Sequence, residues 1–151
     1  MGIGEDQDIF QLLSNSYFRF MKKTLVPEGG DPTTAARWLY EKAPFCLLAQ
    51  NTAADPCFIY ANRAAQTLFE YTWEEFIVLP SRFSAEPPNR EERQRLFAAA
   101  ARDGYITDYS GLRISKSGRR FLISNVTLWQ LLDESGKLHG QAAVYGNWGE
   151  A

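Results

Sequence analysis

The sequence predicts an α+β fold, a five-stranded antiparallel sheet covered on one face by helices and preceded by a flanking amphipathic helix. Three observations carry that expectation. Two short β-type runs meet across a turn near residue 51, three longer ones fill residues 105–148, and the stretch between them carries helix caps and helical apolar spacing. The order ββ, helices, βββ closes into one sheet with short connections, and no internal repeat or low-complexity tract competes with it.

Residues 5–23 place Phe10, Leu13, Tyr17, Phe20 and Met21 at intervals of three and four, a stripe along one helix face. Acidic residues near its start and Lys22-Lys23 near its end suit the helix dipole. The turn-rich segment 27–32 follows, and we divide the chain there into a flanking helix and linker (residues 1–32) and a compact domain (residues 33–148). A second helix is expected from Thr33 or Thr34 until Pro44 stops it. Residues 45–50 and 57–60 then form a hairpin across residues 51–56, and Asn62 caps a helix running through Leu68 and Phe69. Thr72-Trp73-Glu74-Glu75 is a capping box opening a short helix to Leu79, and Asn89-Arg90-Glu91-Glu92 is a second such box. Its helix should end at Gly104, which tolerates the positive φ of a terminus. Residues 105–114, 120–132 and 138–148 read as strands joined by two glycine-bearing hairpin turns.

Composition narrows the function. The 151 residues are 45% hydrophobic and 14% aromatic, enough for one real core. A net charge of −2 with scattered Arg and Lys argues against a nucleic-acid surface. The sequence shows no apolar run near the roughly 20 residues that span a bilayer and no export signal, so a soluble cytoplasmic protein is expected. Cys46 and Cys57 lack metal-ligand spacing and read as buried free thiols.

No catalytic constellation stands out. The sole histidine, His139, opens the last strand beside a turn and reads as a structural residue. Phe121, Ile123, Asn125, Thr127, Trp129 and Leu131 share one parity, so Asn125 and Thr127 would either be satisfied by the helical cover or face a small ligand over the sheet. The opposite parity would instead turn Leu122, Val126 and Leu128 inward. Arg82, in a loop with two prolines, either pins that loop through Glu86 or contacts a ligand; Tyr109 and Arg113 stand at a pocket rim or on a solvated face. With Tyr60 and Trp129 these residues form the candidate ligand set: Tyr60, Arg82, Tyr109, Arg113, Asn125, Thr127 and Trp129.

Taken together, Ala43-Pro44-Phe45, Asp55-Pro56 through Ala64, Trp73-Glu74-Glu75-Phe76, residues 79–87, Arg90-Glu91-Glu92-Arg93, Asp108-Tyr109-Ser110-Gly111, Arg113-Ile114-Ser115, Gly118-Arg119-Arg120-Phe121, Trp129-Gln130-Leu131-Leu132-Asp133 and His139-Gly140-Gln141-Ala142-Ala143 resemble the MEKHLA domain. That module is PAS-related and occurs at the C-terminus of plant class III homeodomain-leucine zipper proteins and as small stand-alone proteins. The resemblance covers residues 38–145. It implies a PAS-like fold and a sensory or regulatory role tied to dimerisation, with no defined ligand. The reactive-cysteine motif of the photosensory flavin class is absent, and His139 is not on the helix that holds haem in such folds. No metal, haem or covalent flavin is therefore expected.

The leading expectation is a sensory or interaction module that binds a small molecule between sheet and helices, forms a homodimer through Phe10, Leu13, Tyr17 and Phe20, and signals to a further protein. The rival is a cone-shaped α+β isomerase or hydratase using Asp108, Tyr109 or Tyr60 as its acid or base.

Overall fold

The structure, a computed structural model, describes residues 6–27 and 30–151. Glu5, assigned to the first helix, and Glu28 and Gly29, assigned to the linker, lie outside the described residues. Among the described residues five helices, a 3-10 turn and six strands follow in order: α1 (Gln7–Met21), α2 (Pro32–Glu41), β1 (Cys46–Gln50), β2 (Phe58–Ala61), α3 (Arg63–Phe69), α4 (Trp73–Phe76), the 3-10 turn (Ser81–Ser84), α5 (Pro87–Asp103), β3 (Tyr105–Ile114), β4 (Arg120–Leu132), β5 (Leu138–Tyr145) and β6 (Asn147–Glu150).

The strands form one antiparallel sheet in the order β2-β1-β5-β4-β3. The last β stretch is interrupted at Gly146, and β6 carries on beside β4 in the register that β5 set, from Thr127 opposite Val144 to Phe121 opposite Glu150. The middle helices cover one face, as expected, over a core of Leu48, Phe58, Phe69, Phe76, Phe121, Ile123, Val126 and Leu128. α1 and α2 cover the other, over Leu47, Tyr60, Trp129 and Leu131.

That second layer corrects the reading of α1. Phe10, Leu13 and Tyr17 are buried within the chain, Tyr17 edge-on to Trp129 at 4.9 Å and Phe20 against Tyr105. Ser16 clamps the helix to the sheet, donating to the Leu132 carbonyl and accepting from the Leu132 amide. The apolar stripe satisfies its own sheet and is not a free dimer face.

Asn62 does more than cap α3. Fully buried, it accepts from the Ala65 and Leu47 amides and donates to the Leu39 and Phe45 carbonyls, tying α2, β1 and α3 together. The Thr72 capping box is formed. Two other helix starts differ from expectation, and in both a proline decides. Asp31, one residue before Pro32, caps α2 through the Thr34 amide, leaving Thr33 to bind Gln7. Pro87 opens α5 two residues before Asn89, because the first turn needs neither the N–H that proline lacks nor another φ. The side chain of Glu86, the residue before it, pairs with Arg120 rather than capping.

Two bulges decide which residues face inward. Asp108 in β3 and Asn125 in β4 have φ of 62° and 54°, in the left-handed region. Between Ile106 opposite Leu128 and Tyr109 opposite Val126, β3 holds the extra residue; between Tyr109 and Gly111 opposite Ile123, β4 does. Each bulge reverses the alternation of its strand. Phe121 and Ile123 face the middle helices with Val126 and Leu128, whereas Trp129 and Leu131 face α1 and α2. The single parity expected for β4 is therefore correct before Asn125 and inverted after it.

Candidate functional site

Three glutamines lie abreast across the centre of the sheet: Gln50 on β1 opposite Gln141 on β5, and Gln141 opposite Gln130 on β4. Their amides form a chain. Gln141 donates to Gln130 Oε1 at 2.6 Å and to the Phe97 carbonyl of α5 at 3.1 Å, while Gln50 donates to Gln141. Gln50 Oε1 in turn accepts from Ser81 Oγ at 2.5 Å and from Arg93 at 3.2 Å. Buried amides cost free energy unless paired, and this ladder pairs them while linking the sheet to the 3-10 turn and α5.

Beside the ladder, between sheet and helices, is a cavity of about 30 Å³ whose wall includes Arg93, Phe97, Tyr109, Arg113 and Tyr145. Arg93 is 8% exposed and its guanidinium lies 4.3 Å over the Phe97 ring. Burial and then the charge of Arg113 push Arg93 down to about 10, so it remains a cation at neutral pH. Arg113 is 6% exposed and donates to the Leu112 carbonyl at 2.7 Å and, at 3.4 Å, to Tyr109 Oη. Its guanidinium lies over Gly111, where an added Cβ would fall 2.8 Å from Nη1. The Tyr145 hydroxyl is buried with no oxygen or nitrogen partner, its one hydrogen-bonding neighbour being the Cys46 thiol opposite it in the sheet; burial raises it well above the usual phenol range. Gln50, Arg93, Phe97 and Gln141 are shared with an open cleft of about 350 Å³ that continues past Arg82, Arg90, Ala98 and Ala101.

Of the candidate ligand residues, Tyr109 and Arg113 reach this cavity because the Asp108 bulge turns them inward. Arg82 lines only the outer cleft, held at 2.8 Å by Asp55 rather than by Glu86. The structure does not bring the others there. Asn125 is the exposed bulge residue, and Thr127 and Trp129 belong to the opposite side of the sheet, Thr127 opposite Val144 in the register. Tyr60 also packs on that side, between Tyr40 and Trp73. The acid and base of the rival enzyme are not assembled either, since Asp108 is exposed and Tyr60 is on the far face.

Sequence reasoning missed Arg93, Gln50, Gln141 and Tyr145. A signal for Arg93 existed: it shares a helical stripe with Phe97 and Ala100, the side of α5 that turns to the sheet. His139 pairs with Asp133 at 2.8 Å beside the β4–β5 turn, away from the cavity. Cys46 is fully buried and its thiol is pushed up to about 12 by burial, whereas Cys57 is half-buried rather than buried as expected. Among the described residues no cluster of His, Cys, Asp and Glu is placed to hold a metal ion, and no helix is long and apolar enough to cross a membrane.

A family model described as the MEKHLA domain matches residues 7–150, which takes in α1 as well as the sheet. Homeobox-leucine zipper protein ATHB-9 of Arabidopsis thaliana is 25% identical over 120 residues, covering 80% of this chain and 14% of that protein. The chain thus spans about one seventh of the relative's length. Among solved structures, the PAS domain of a Colwellia psychrerythraea protein superposes with a TM-score of 0.67 at 16% identity, covering 80% of this chain and 98% of that one. The LOV domain of the blue-light photoreceptor Aureochrome1 gives 0.56 at 18% identity, covering 70% and 75%. These likenesses establish a PAS-like fold.

Proposed function

Because the chain belongs to the MEKHLA domain family and carries the PAS-like fold of a sensory module, we propose that it senses a small molecule bound between the sheet and α5 and passes occupancy to a protein partner. The observation that carries this reading is the cavity beside the glutamine ladder. It lies between the sheet and α5, is continuous in its lining with a larger cleft, and is lined by a hydroxyl and two guanidiniums. A concave, mainly apolar space with few convergent polar groups is the usual form of a small-molecule site.

The ladder supplies a route for the signal. A molecule against Arg93 bears on Gln50, which also holds Ser81, and on α5, whose Phe97 carbonyl holds Gln141. Homodimerisation and cytoplasmic residence remain part of the proposal. The dimer surface is moved from the inward stripe to the outer side of α1, where Phe18 is half exposed.

Native mass spectrometry of freshly purified protein tests the reading. A bound mass that disappears in Tyr145→Phe or Arg93→Met supports it, whereas apo mass alone, with no thermal shift in a fragment screen, overturns it.

A further inference from the structure

We infer that the site takes a small organic carboxylate, its anionic head held between Arg93 and Arg113 and its body lying in the adjoining cleft; this rests on the small-molecule reading of the cavity above.

The charge balance argues first. Ion pairs among the described residues include Arg82 with Asp55, Arg95 with Glu91, Arg102 with Asp103, Lys116 with Glu75, Arg120 with Glu86 and His139 with Asp133. None includes Arg93 or Arg113. Both are more than nine-tenths buried, line one cavity, and have only neutral partners: an amide oxygen and a ring face for Arg93, a carbonyl and a phenol for Arg113. Two buried like charges without a counter-charge are costly to hold, and a guanidinium is the side chain best shaped to grip a carboxylate in its fork.

The remaining polar group agrees with an anion. Tyr145 Oη lines the same cavity, and its only hydrogen-bonding neighbour is the weak acceptor of the Cys46 thiol, so its O–H can turn to a carboxylate, which offers about four acceptor sites. No carboxyl side chain lines the cavity, so an anion meets no like charge there.

Size then restricts the class. A cavity of about 30 Å³ is room for a small polar head group but far below the few hundred Å³ that a whole metabolite needs. The rest of the molecule has to pass Phe97 and Arg93 into the cleft, where Ala98, Ala101 and Pro56 give an apolar floor and Arg90 stands on the rim beside the Arg82–Asp55 ion pair. A flat aromatic or short aliphatic carboxylate meets these conditions. A nucleotide does not, since its chain of phosphates exceeds the inner space.

The test compares charged and neutral probes of one shape. Acetate, succinate and benzoate, with acetamide, succinamide and benzamide as isosteres and inorganic phosphate as a further anion, are titrated at constant ionic strength while backbone amide shifts are followed by NMR. At least one carboxylate is expected to shift amides around Gln50, Phe97 and Tyr145 and to bind about tenfold or more tightly than its amide. Arg113→Met should weaken it by a further tenfold, and Tyr145→Phe, an isosteric change that keeps the fold, by severalfold. Amides that bind as well as their acids, or phosphate that binds in place of every carboxylate, would overturn the carboxylate assignment and leave the small-molecule site standing. No shift near the cavity with any probe would remove both.

Discussion

Replacing Arg113 by methionine should stabilise the unliganded protein. Burial first and the Arg113 charge second push Arg93 down to about 10 from the usual guanidinium range, equivalent to about 3 kcal/mol against its charged form. Methionine has nearly the same reach, fits against Gly111, and removes the second buried charge. What is lost is a bond to the Leu112 carbonyl and a long one to Tyr109. Exchange of a buried charge for an apolar group of similar volume is often neutral or favourable, and a gain on the order of 1 kcal/mol is expected. In urea unfolding the midpoint should rise by roughly 0.5 M with unchanged slope. A fall of more than about 2 kcal/mol would refute the reasoning, because it would make the guanidinium a structural tie rather than one retained for binding.

Three other perturbations read different parts of the molecule. Gly140→Ala would bring a Cβ to 1.9 Å from the Gln50 carbonyl and should cost about 3 kcal/mol, whereas Gly136→Ala, with φ of 86° but open space around it, should cost about 1 kcal/mol; urea curves of the pair decide. Deleting residues 1–31 uncovers Trp129 and Leu131 and removes Leu13, Tyr17 and the Ser16 clamp, a loss of about 5 kcal/mol that rivals total stability. Circular dichroism and sedimentation should show a poorly folded or aggregating chain, and a well-folded truncated monomer would contradict the second layer. Hydrogen bonds from His139, Ser135 and the Lys137 amide hold Asp133 below the usual carboxylate range. Its contribution is present above about pH 4, the unfolded value, and is lost as pH falls toward the lower folded one. Asp133→Asn should flatten the acid limb of a stability-against-pH curve, and an unchanged limb would remove this residue from the account.

The strand and helix order was readable because each element carries its own local signal: the Thr72 capping box, the Asn62 cap, the glycine turns of the last hairpins. Facing direction was not, since one extra residue reverses every side chain beyond it. Both β4 parities considered were half right, Phe121 and Ile123 by one, Val126 and Leu128 by the other. The hinge between them is Asn125, a residue type that tolerates the left-handed region, as does Asp108 on the neighbouring strand. The glutamine ladder was equally hidden, because Gln50, Gln130 and Gln141 become neighbours only through strand pairing. The stripe of α1 was visible, yet amphipathicity states that a face is buried and not what buries it.

A crystal structure of the protein as purified from its source bears most directly on the central claim. Density for a non-protein group contacting Arg93, Arg113 and Tyr145 Oη, with α5 displaced outward to admit it, is the expected result. Closely packed side chains around a lone water, with no other non-protein density beside Arg93, Arg113 or Tyr145 Oη, would contradict it.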